Sequence, residues 1–335
     1  MELSFSRQHF MRLGLAAGLA GLAGAAAPRL ARAQTARPLL SRIKTVTIGA
    51  PDVDVIAKHY SSLLNYSVVE EGAVAIDLAL SWGTPNSAGR KFIVMQPETG
   101  EDAFVRAVEI DQPDGFKAIT TWGWNSMEFV VDDIERVHER IKASPLEILG
   151  APALLGAFPT IGAMQVRGPA EEVLHLTVET GERSASILPL PGDDVGRLII
   201  TILAVPDVAA VNDWYAVMFG MTKTPVRNDP IAVVNTAQGM PADHGLDATF
   251  LGMAERGNFL ELWQLDKGKT TDRPRAFGQL PPGVAMASFS VPDLDVIPAP
   301  FLSPPHQDES LIYGSNRSAV FRGPVGELVE LVEEP

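Results

Sequence analysis

Four stretches of the chain share one pattern of hydrophobic and polar positions. Each opens with an alternating run typical of a half-buried strand and ends at Pro-Asp or Asp-Asp, where an aspartate side chain can cap a following helix. Apolar residues at helical spacing then predict helices over residues 53–64, 134–143 and 208–219. In the fourth copy, four prolines from Pro298 to Pro305 predict a helix that is short or lost. Three further strand-like runs follow, so the repeating unit is βαβββ.

The copies also resemble one another residue by residue. Residues 45–53 align with residues 200–208 without a gap, and Tyr60 and Tyr215 follow at the same distance. Copies two and four match at their ends, because both close on Arg-Gly-Pro with a glutamate three residues later. This alternation indicates that an already paired unit was duplicated.

An acidic, proline-containing stretch divides the repeats into two halves. We predict that residues 181–196 link an N-terminal domain at 41–180 to a C-terminal domain at 197–334, each with two units. The chain has 335 residues, of which 46% are hydrophobic, so each half can bury a core of its own. The net charge of −14 disfavours nucleic acid and membrane surfaces as partners. Because the chain contains no cysteine, disulfides, thiolate metal sites and a thiol nucleophile are excluded.

The first 33 residues are typical of an export signal. Arg7 and Arg12 precede an apolar run at 13–27, and an Ala-Arg-Ala triplet at 31–33 supplies small residues for cleavage. The run is shorter than the roughly 20 residues that span a bilayer. The stretch around Arg7 resembles a twin-arginine signal in which Gln8 replaces the second arginine, and general secretion is the alternative. Either route predicts a periplasmic protein that leaves the membrane after cleavage.

The repeat carries a recognisable signature: a first strand ending in Val-x-Asp, a helix with an aromatic residue, and a close on Gly-x-x-x-Glu. Over residues 41–334 this signature resembles the vicinal-oxygen-chelate superfamily, which includes glyoxalase I, bleomycin-resistance proteins and extradiol dioxygenases. The resemblance implies an α+β fold in which four βαβββ modules pair into two eight-stranded cups, modules one and two in one cup and modules three and four in the other. It leaves the function open, because this fold hosts lyases, isomerases, oxygenases and binding proteins.

The same resemblance implies where metal ligands would lie. The family takes one ligand, usually histidine, from the first strand of each module and another, usually glutamate, from the last strand. The corresponding first-strand residues are Thr45, Ser126, Ile200 and Met286. The corresponding last-strand residues are Val94, His175, Glu261 and Glu330. Without a first-strand histidine, Fe(II) ring cleavage and glyoxalase-type metal chemistry are disfavoured and no cofactor is expected. If a divalent metal binds, Glu261 and Glu330 are its predicted ligands.

Four titratable residues are the predicted catalytic groups. Strand side chains alternate between faces, which places Glu128 and His175 together inside the predicted N-terminal cup as an acid–base pair. In the predicted C-terminal cup, Glu261 and Glu330 face each other and share a proton. The structural alternatives are that Glu128 faces solvent, that His175 is an ordinary core residue, and that the two C-terminal glutamates pair with Arg227 or Arg322.

Further polar and aromatic residues are predicted to contact a ligand. They are Thr45, Thr47, Gln96, Trp122, Trp124, Ser126, Thr177, His244 and Trp263. The sequence therefore predicts a partner that is a small, mostly apolar molecule, aromatic or oxygenated, and a lyase or isomerase that acts by proton transfer. The alternative is a binding protein that sequesters such a compound without turnover. Self-association into a homo-oligomer is left open.

Overall fold

The computed structural model describes residues 37–156 and 158–335. The export signal predicted for residues 1–33 lies outside these described residues. Within them, no helix is long and apolar enough to cross a membrane.

Four modules follow one another along the chain. Module one contains β1 (Ile43–Ala50), α1 (Val53–Leu64), β2 (Tyr66–Ala73), α2 (Ile76–Ser81), β3 (Lys91–Pro97) and β4 (Phe104–Glu109). Module two contains β5 (Gly123–Val131), α3 (Ile134–Lys142), β6 (Glu147–Leu155), β7 (Phe158–Arg167) and β8 (Val173–Glu179). Module three contains β9 (Val195–Val205), α4 (Val208–Phe219), β10 (Thr222–Lys223), β11 (Arg227–Pro230), α5 (Ala232–Gln238), β12 (Gly245–Gly252) and β13 (Phe259–Gln264). Module four contains β14 (Gly283–Val291), β15 (His306–Gln307), β16 (Arg317–Arg322) and β17 (Leu328–Glu333).

The first helix of each module begins at the predicted aspartate. Asp52 accepts hydrogen bonds from two backbone N–H groups of the first turn of α1, at 2.9 and 3.1 Å. Asp133 caps α3 through two such bonds, and Asp207 caps α4 through one, from the Ala210 N–H. In module four, Asp293 caps only a 3₁₀ turn at Leu294–Val296, as the prolines predict. The helix positions and the weak fourth helix are therefore confirmed.

The strands of the described residues form two mixed sheets. One has the order β15-β16-β17-β14-β1-β4-β3-β2, and the other has the order β10-β12-β13-β9-β5-β8-β7-β6, with β11 beside β12. In each module the last strand runs parallel to the first. Two modules are joined within a sheet by antiparallel pairing of their first strands, β1 with β14 and β5 with β9. The predicted α+β fold, with four modules in two large sheets, is confirmed.

The predicted choice of partners within each sheet is wrong. The first sheet combines modules one and four, and the second combines modules two and three, so neither half of the chain closes a cup alone. Each half is nevertheless held together internally on the helical side. Tyr60 of module one donates to Glu172 of module two at 3.1 Å, and Tyr215 of module three donates to Glu327 of module four at 2.7 Å. The repeat could not reveal this exchange, because every module presents a similar first strand to any partner.

Side-chain alternation gives each sheet two different faces. Residues such as Val46, Phe129, Leu262 and Leu331 belong to one apolar core that includes strands of both sheets. The residues between them point to the opposite face, where each sheet has a separate apolar cluster and several buried polar groups. We call these opposite faces cup 1–4 and cup 2–3, after the modules that form them.

Candidate functional site

The bottom of each cup is formed by pairs of residues on the first and last strands of a module, which lie side by side in the sheet. In cup 1–4 the pairs are Thr47 with Arg106 and Ser288 with Glu330. In cup 2–3 the pairs are Glu128 with His175 and Ile202 with Glu261. Equivalent positions thus hold a cation and an anion in one cup, but two carboxyl groups and an imidazole in the other.

Cup 1–4 contains a buried ion pair. Arg106 Nη2 lies 2.9 Å from Glu330 Oε2, and both side chains are at most 2% exposed. The guanidinium also donates from Nε to Thr47 Oγ1 at 2.9 Å and from Nη1 to the Tyr313 hydroxyl at 2.6 Å, and it lies 4.5 Å from the centre of the Trp82 ring. Arg106 is therefore fixed in position and neutralises the carboxylate beside it.

Other donors complete the coordination of Glu330. Tyr313 donates to Oε1 at 2.6 Å, Trp82 Nε1 donates to the same oxygen at 3.0 Å, and Ser288 donates to Oε2. Burial by itself would raise the pKa of Glu330, but Arg106 and these hydrogen bonds together lower it below its ordinary value. Glu330 is consequently a charged, fully paired group, unsuited to exchanging protons near neutral pH.

Arg106 occupies the position that the sequence assigned to Val94. The sequence took β3 as the last strand of module one, but β4 follows it and is the strand parallel to β1. Val94 therefore lies one strand away from the predicted position, on the wall of a cavity of about 400 Å³ above the ion pair. The signal that could have revealed Arg106 was a lone arginine in the apolar run Phe104–Val108.

Cup 2–3 brings two buried carboxyl groups close together. Burial raises the pKa of Glu128 to about 7, against a smaller opposite effect of Thr177. Burial and the nearby Glu128 raise the pKa of Glu261 to about 8, although Trp263 Nε1 donates to Glu261 Oε1 at 2.7 Å. Both side chains are buried, and neither forms a salt bridge within the described residues. The pair can therefore hold one proton and exchange it near neutral pH.

His175 lies beside Glu128 but does not pair with it. The two residues are register partners, yet their side chains form no hydrogen bond or ion pair with each other, and His175 Nε2 is buried without a partner among the described residues. Burial lowers the pKa of His175 to about 3, so the ring is neutral at physiological pH. Its ring packs edge-on against Trp263, with the centroids 5.5 Å apart. His175 is therefore a neutral group at the bottom of the cup that can form a hydrogen bond.

The walls of cup 2–3 are largely apolar and aromatic. Ile200 and Trp263 belong to its buried cluster, and Phe158, Phe250 and Phe259 pack against that cluster. The Arg227 guanidinium, which was one predicted partner for the C-terminal glutamates, lies 4.5 Å from the centre of the Phe158 ring and forms no salt bridge with Glu261 within the described residues. Its charge nevertheless partly offsets the rise in the pKa of Glu261. A flat, weakly polar molecule would find apolar contacts here and hydrogen-bonding groups at the floor.

The module exchange separates residues that were predicted to act together. Glu261 and Glu330 lie in different sheets, so the prediction that they face each other, share a proton or bind one metal is wrong. Thr45 and Thr47 lie in cup 1–4, apart from Ser126, Glu128 and His175. Sequence reasoning placed these residues on inward faces but grouped them into the wrong cups, because face follows from local alternation whereas pairing does not.

Three of the predicted ligand-contacting regions lie elsewhere. Gln96 is held by its own turn, where its Nε2 donates to the carbonyl groups of Gly100 and Glu101. Trp122 and Trp124 line a separate cavity at the start of β5. His244 lines a polar cavity of about 480 Å³ at the loop before β12.

The residues of neither cup fit a divalent metal. A catalytic metal ion in a protein needs about three side-chain ligands, and no group of three His, Asp or Glu side chains in the described part of the chain is arranged to hold one. In cup 1–4 the Arg106 guanidinium places a fixed positive charge beside the one carboxylate. In cup 2–3 the first-strand positions are Ser126 and Ile200, and an isoleucine offers no donor atom. We therefore derive no reaction step through a metal.

Comparison with known proteins identifies the fold. No family model matches the chain, and no curated protein sequence matches it. Glyoxalase I from Zea mays is 15% identical with a TM-score of 0.55, over 87% of this chain and 92% of that chain. A dioxygenase candidate from Bacillus subtilis is 11% identical with a TM-score of 0.60, over 90% of this chain and 87% of that chain. The chain therefore has the vicinal-oxygen-chelate fold that its repeat predicted.

Proposed function

We propose that cup 2–3 is the active site of a lyase or isomerase that moves a proton on a small, mostly apolar molecule, aromatic or oxygenated. The observation that carries this proposal is the pair of buried carboxyl groups, Glu128 and Glu261, with pKa values of about 7 and 8 and no salt bridge to a cation within the described residues. The other buried carboxyl groups have a fixed partner, since Glu330 is paired with Arg106 and Glu172 and Glu327 each accept a hydrogen bond from a tyrosine hydroxyl, whereas Glu128 and Glu261 have neither kind of partner within the described residues. Strongly shifted carboxyl groups in an apolar cup are typical of acid–base sites.

The two carboxyl groups are suited to different roles. Glu128 has the lower pKa and is the better candidate for the base that accepts a proton from carbon. Glu261 has the higher pKa, is fixed by Trp263 and is the candidate acid that donates a proton to oxygen. One proton is taken up and one is given back, so the reaction needs no redox partner. Neutral His175 would orient the bound molecule by hydrogen bonding.

Proton exchange tests this proposal without knowledge of the product. Wild-type protein would be incubated in D₂O with a panel of small aromatic ketones, aldehydes and enones, and exchange at acidic carbons would be followed by NMR. Glu128→Gln and Glu261→Gln should each lower the exchange rate by about 10²–10⁴-fold, the usual contribution of a general acid or base. Binding should change far less, and the rate should depend on pH with apparent pKa values near 7 and 8.

Glu172→Gln is the matched control. This carboxyl group is also buried and also has a pKa of about 7, but it bonds to Tyr60 on the helical side and faces neither cup. An equal loss of exchange in Glu172→Gln would mean that the effect comes from stability, and would contradict the assignment. Saturable binding with no exchange on any compound would favour the second candidate, a protein that sequesters its ligand, because the apolar cup by itself suffices for binding.

Three further expectations stay proposals. Export to the periplasm rests on residues 1–33; replacing Arg7 should abolish export by the twin-arginine route and leave general secretion intact, as fractionation of cells would detect. The expectation that no cofactor is needed, with a divalent metal as the alternative, is tested by elemental analysis of protein purified without added metal. A small molecule is the expected partner, and its identity would come from the same panel.

A further inference from the structure

A third cavity, outside both cups, lies where the start of β5, the loop between β13 and β14, and the turn before β17 meet. Its volume is about 230 Å³, and its lining includes Trp122, Trp124, Arg273, Arg275 and Glu327. None of the carboxyl groups assigned to cup 2–3 lines it. A molecule bound in this cavity would therefore not contact the groups assigned to the proposed reaction.

Arg273 is a fixed positive charge at this cavity. Its Nε donates to Thr121 Oγ1 at 3.0 Å, its Nη1 donates to the Val284 carbonyl at 2.6 Å, and its Nη2 donates to the Trp124 carbonyl. Burial lowers the pKa of Arg273 to about 10, which still leaves it charged at neutral pH. All of these acceptors are neutral, so the charge is held in position but not neutralised.

Two further arginines carry unneutralised charge around the same space. Arg275 is exposed and lines the cavity. Arg322 lies just outside the lining, where its Nη1 donates to the carbonyl of Gly326, a residue that does line the cavity. Burial, and then the like charge of Arg275, lower the pKa of Arg322. Most arginines in the described part of the chain form salt bridges, but those around this cavity do not. In a chain of net charge −14, such a concentration of free positive charge is unexpected.

The two acidic side chains at the cavity do not neutralise the arginines. Glu327 accepts hydrogen bonds from the Tyr215 hydroxyl at 2.7 Å and from the Val325 N–H at 2.9 Å, and burial raises its pKa to about 7. Asp272 is exposed to solvent. Neither of them lies within salt-bridge distance of an arginine within the described residues.

We propose that this cavity binds a small organic anion. Its carboxylate or phosphate group would be held by Arg275, which lines the cavity, in the field of Arg273 and of the neighbouring Arg322, because a guanidinium group binds such oxyanions through paired hydrogen bonds. Its flat apolar part would lie against Trp122, an indole that is only partly buried. The segment that contains Arg273 and Arg275 is held beside the start of β5, because the Trp122 N–H donates to the Thr271 carbonyl at 3.0 Å.

Calorimetric titration with benzoate, and separately with inorganic phosphate, tests the proposal. Wild-type protein should bind at least one of them saturably, with an affinity that falls as salt is added. Arg275→Gln should weaken binding by about tenfold or more, as expected for the loss of a charge-assisted hydrogen bond, and Arg322→Gln should weaken it less, because Arg322 acts only through its charge. Binding of benzoate alone would assign an aromatic carboxylate, and binding of phosphate alone would assign a phosphorylated ligand.

Two control variants make the result specific. Arg256→Gln removes another arginine without an acidic partner that does not line the cavity, and it should leave binding unchanged. Glu128→Gln should also leave it unchanged, which separates this site from cup 2–3. No saturable binding of either anion by folded wild-type protein, or an equal loss in Arg256→Gln, would overturn the proposal.

Discussion

Replacing Arg106 by methionine would test whether cup 1–4 depends on its internal ion pair. Methionine keeps much of the length and the apolar stem of the arginine but removes its charge and all of its donors. Glu330 would then keep its bonds to Tyr313, Trp82 and Ser288 while losing its only counter-ion. The carboxylate would remain buried and would have to be either uncompensated or protonated.

The size of the effect follows from this burial. Both members of the pair are at most 2% exposed, so solvent does little to screen the loss. Removing one partner of a buried ion pair costs about 3–5 kcal/mol, out of a total stability of about 5–15 kcal/mol for a typical protein. We expect Arg106→Met to lower the free energy of unfolding by about this amount at pH 7, measured by urea unfolding with circular dichroism.

The loss should depend on pH in a defined direction. In the wild type the pKa of Glu330 is lowered, so the stability that the pair provides is present at neutral pH and is lost as the pH falls through the folded-state pKa. In Arg106→Met, burial would raise the pKa of Glu330, and stability would fall as the pH rises above about 4.3, the pKa of an unfolded glutamate. The difference between wild type and variant should therefore narrow from pH 7 towards pH 4.

A double variant tests whether the loss of stability comes from the uncompensated Glu330 charge. Arg106→Met combined with Glu330→Gln removes the buried charge as well, and it should recover much of the loss because a neutral amide is far less costly to bury. If Arg106→Met were as stable as the wild type, if the difference did not narrow on acidification, or if the double variant were no more stable than the single one, the ion pair would not have the role described here.

Three further predictions test the other cup, a helix cap and the pairing of modules. Because Glu128 contributes to the raised pKa of Glu261, Glu128→Gln should lower that pKa from about 8, as NMR of the labelled carboxyl carbon would show. Burial of Glu128 raises its pKa from 4.5 to about 7, which costs the wild type about 3 kcal/mol of stability as the pH rises through this range. Glu128→Gln lacks this carboxyl, so its stability relative to the wild type should increase from about pH 4.5 to about pH 8. Parallel pH profiles of the two proteins would contradict this. Asp52→Ala should cost about 1 kcal/mol through loss of the α1 cap, and Asp52→Asn should cost little. Val46→Cys with Ala287→Cys should form a disulfide across β1 and β14, and if no cross-link formed, the pairing of modules one and four would be in doubt.

The sequence by itself determined the repeat, the first-strand and helix positions, and the face on which each strand residue lies. The caps at Asp52, Asp133 and Asp207 and the loss of the fourth helix could be predicted because a cap or a proline acts within one turn. The inward direction of Glu128, His175 and Glu261 could be predicted because strand alternation is also local. All of these features depend on residues a few positions apart.

Only the tertiary structure decided which inward-facing residues meet. Four modules with similar first strands can pair in several ways, and the pattern within one module contains no information about its partner. The actual pairing places Glu330 beside Arg106, where its charge is neutralised, and places Glu261 near Glu128, where neither carboxyl forms a salt bridge within the described residues. Protonation at each cup depends on these contacts between distant strands. The sequence could therefore identify the candidate groups, while the pairing of strands decided which of them remain able to exchange a proton.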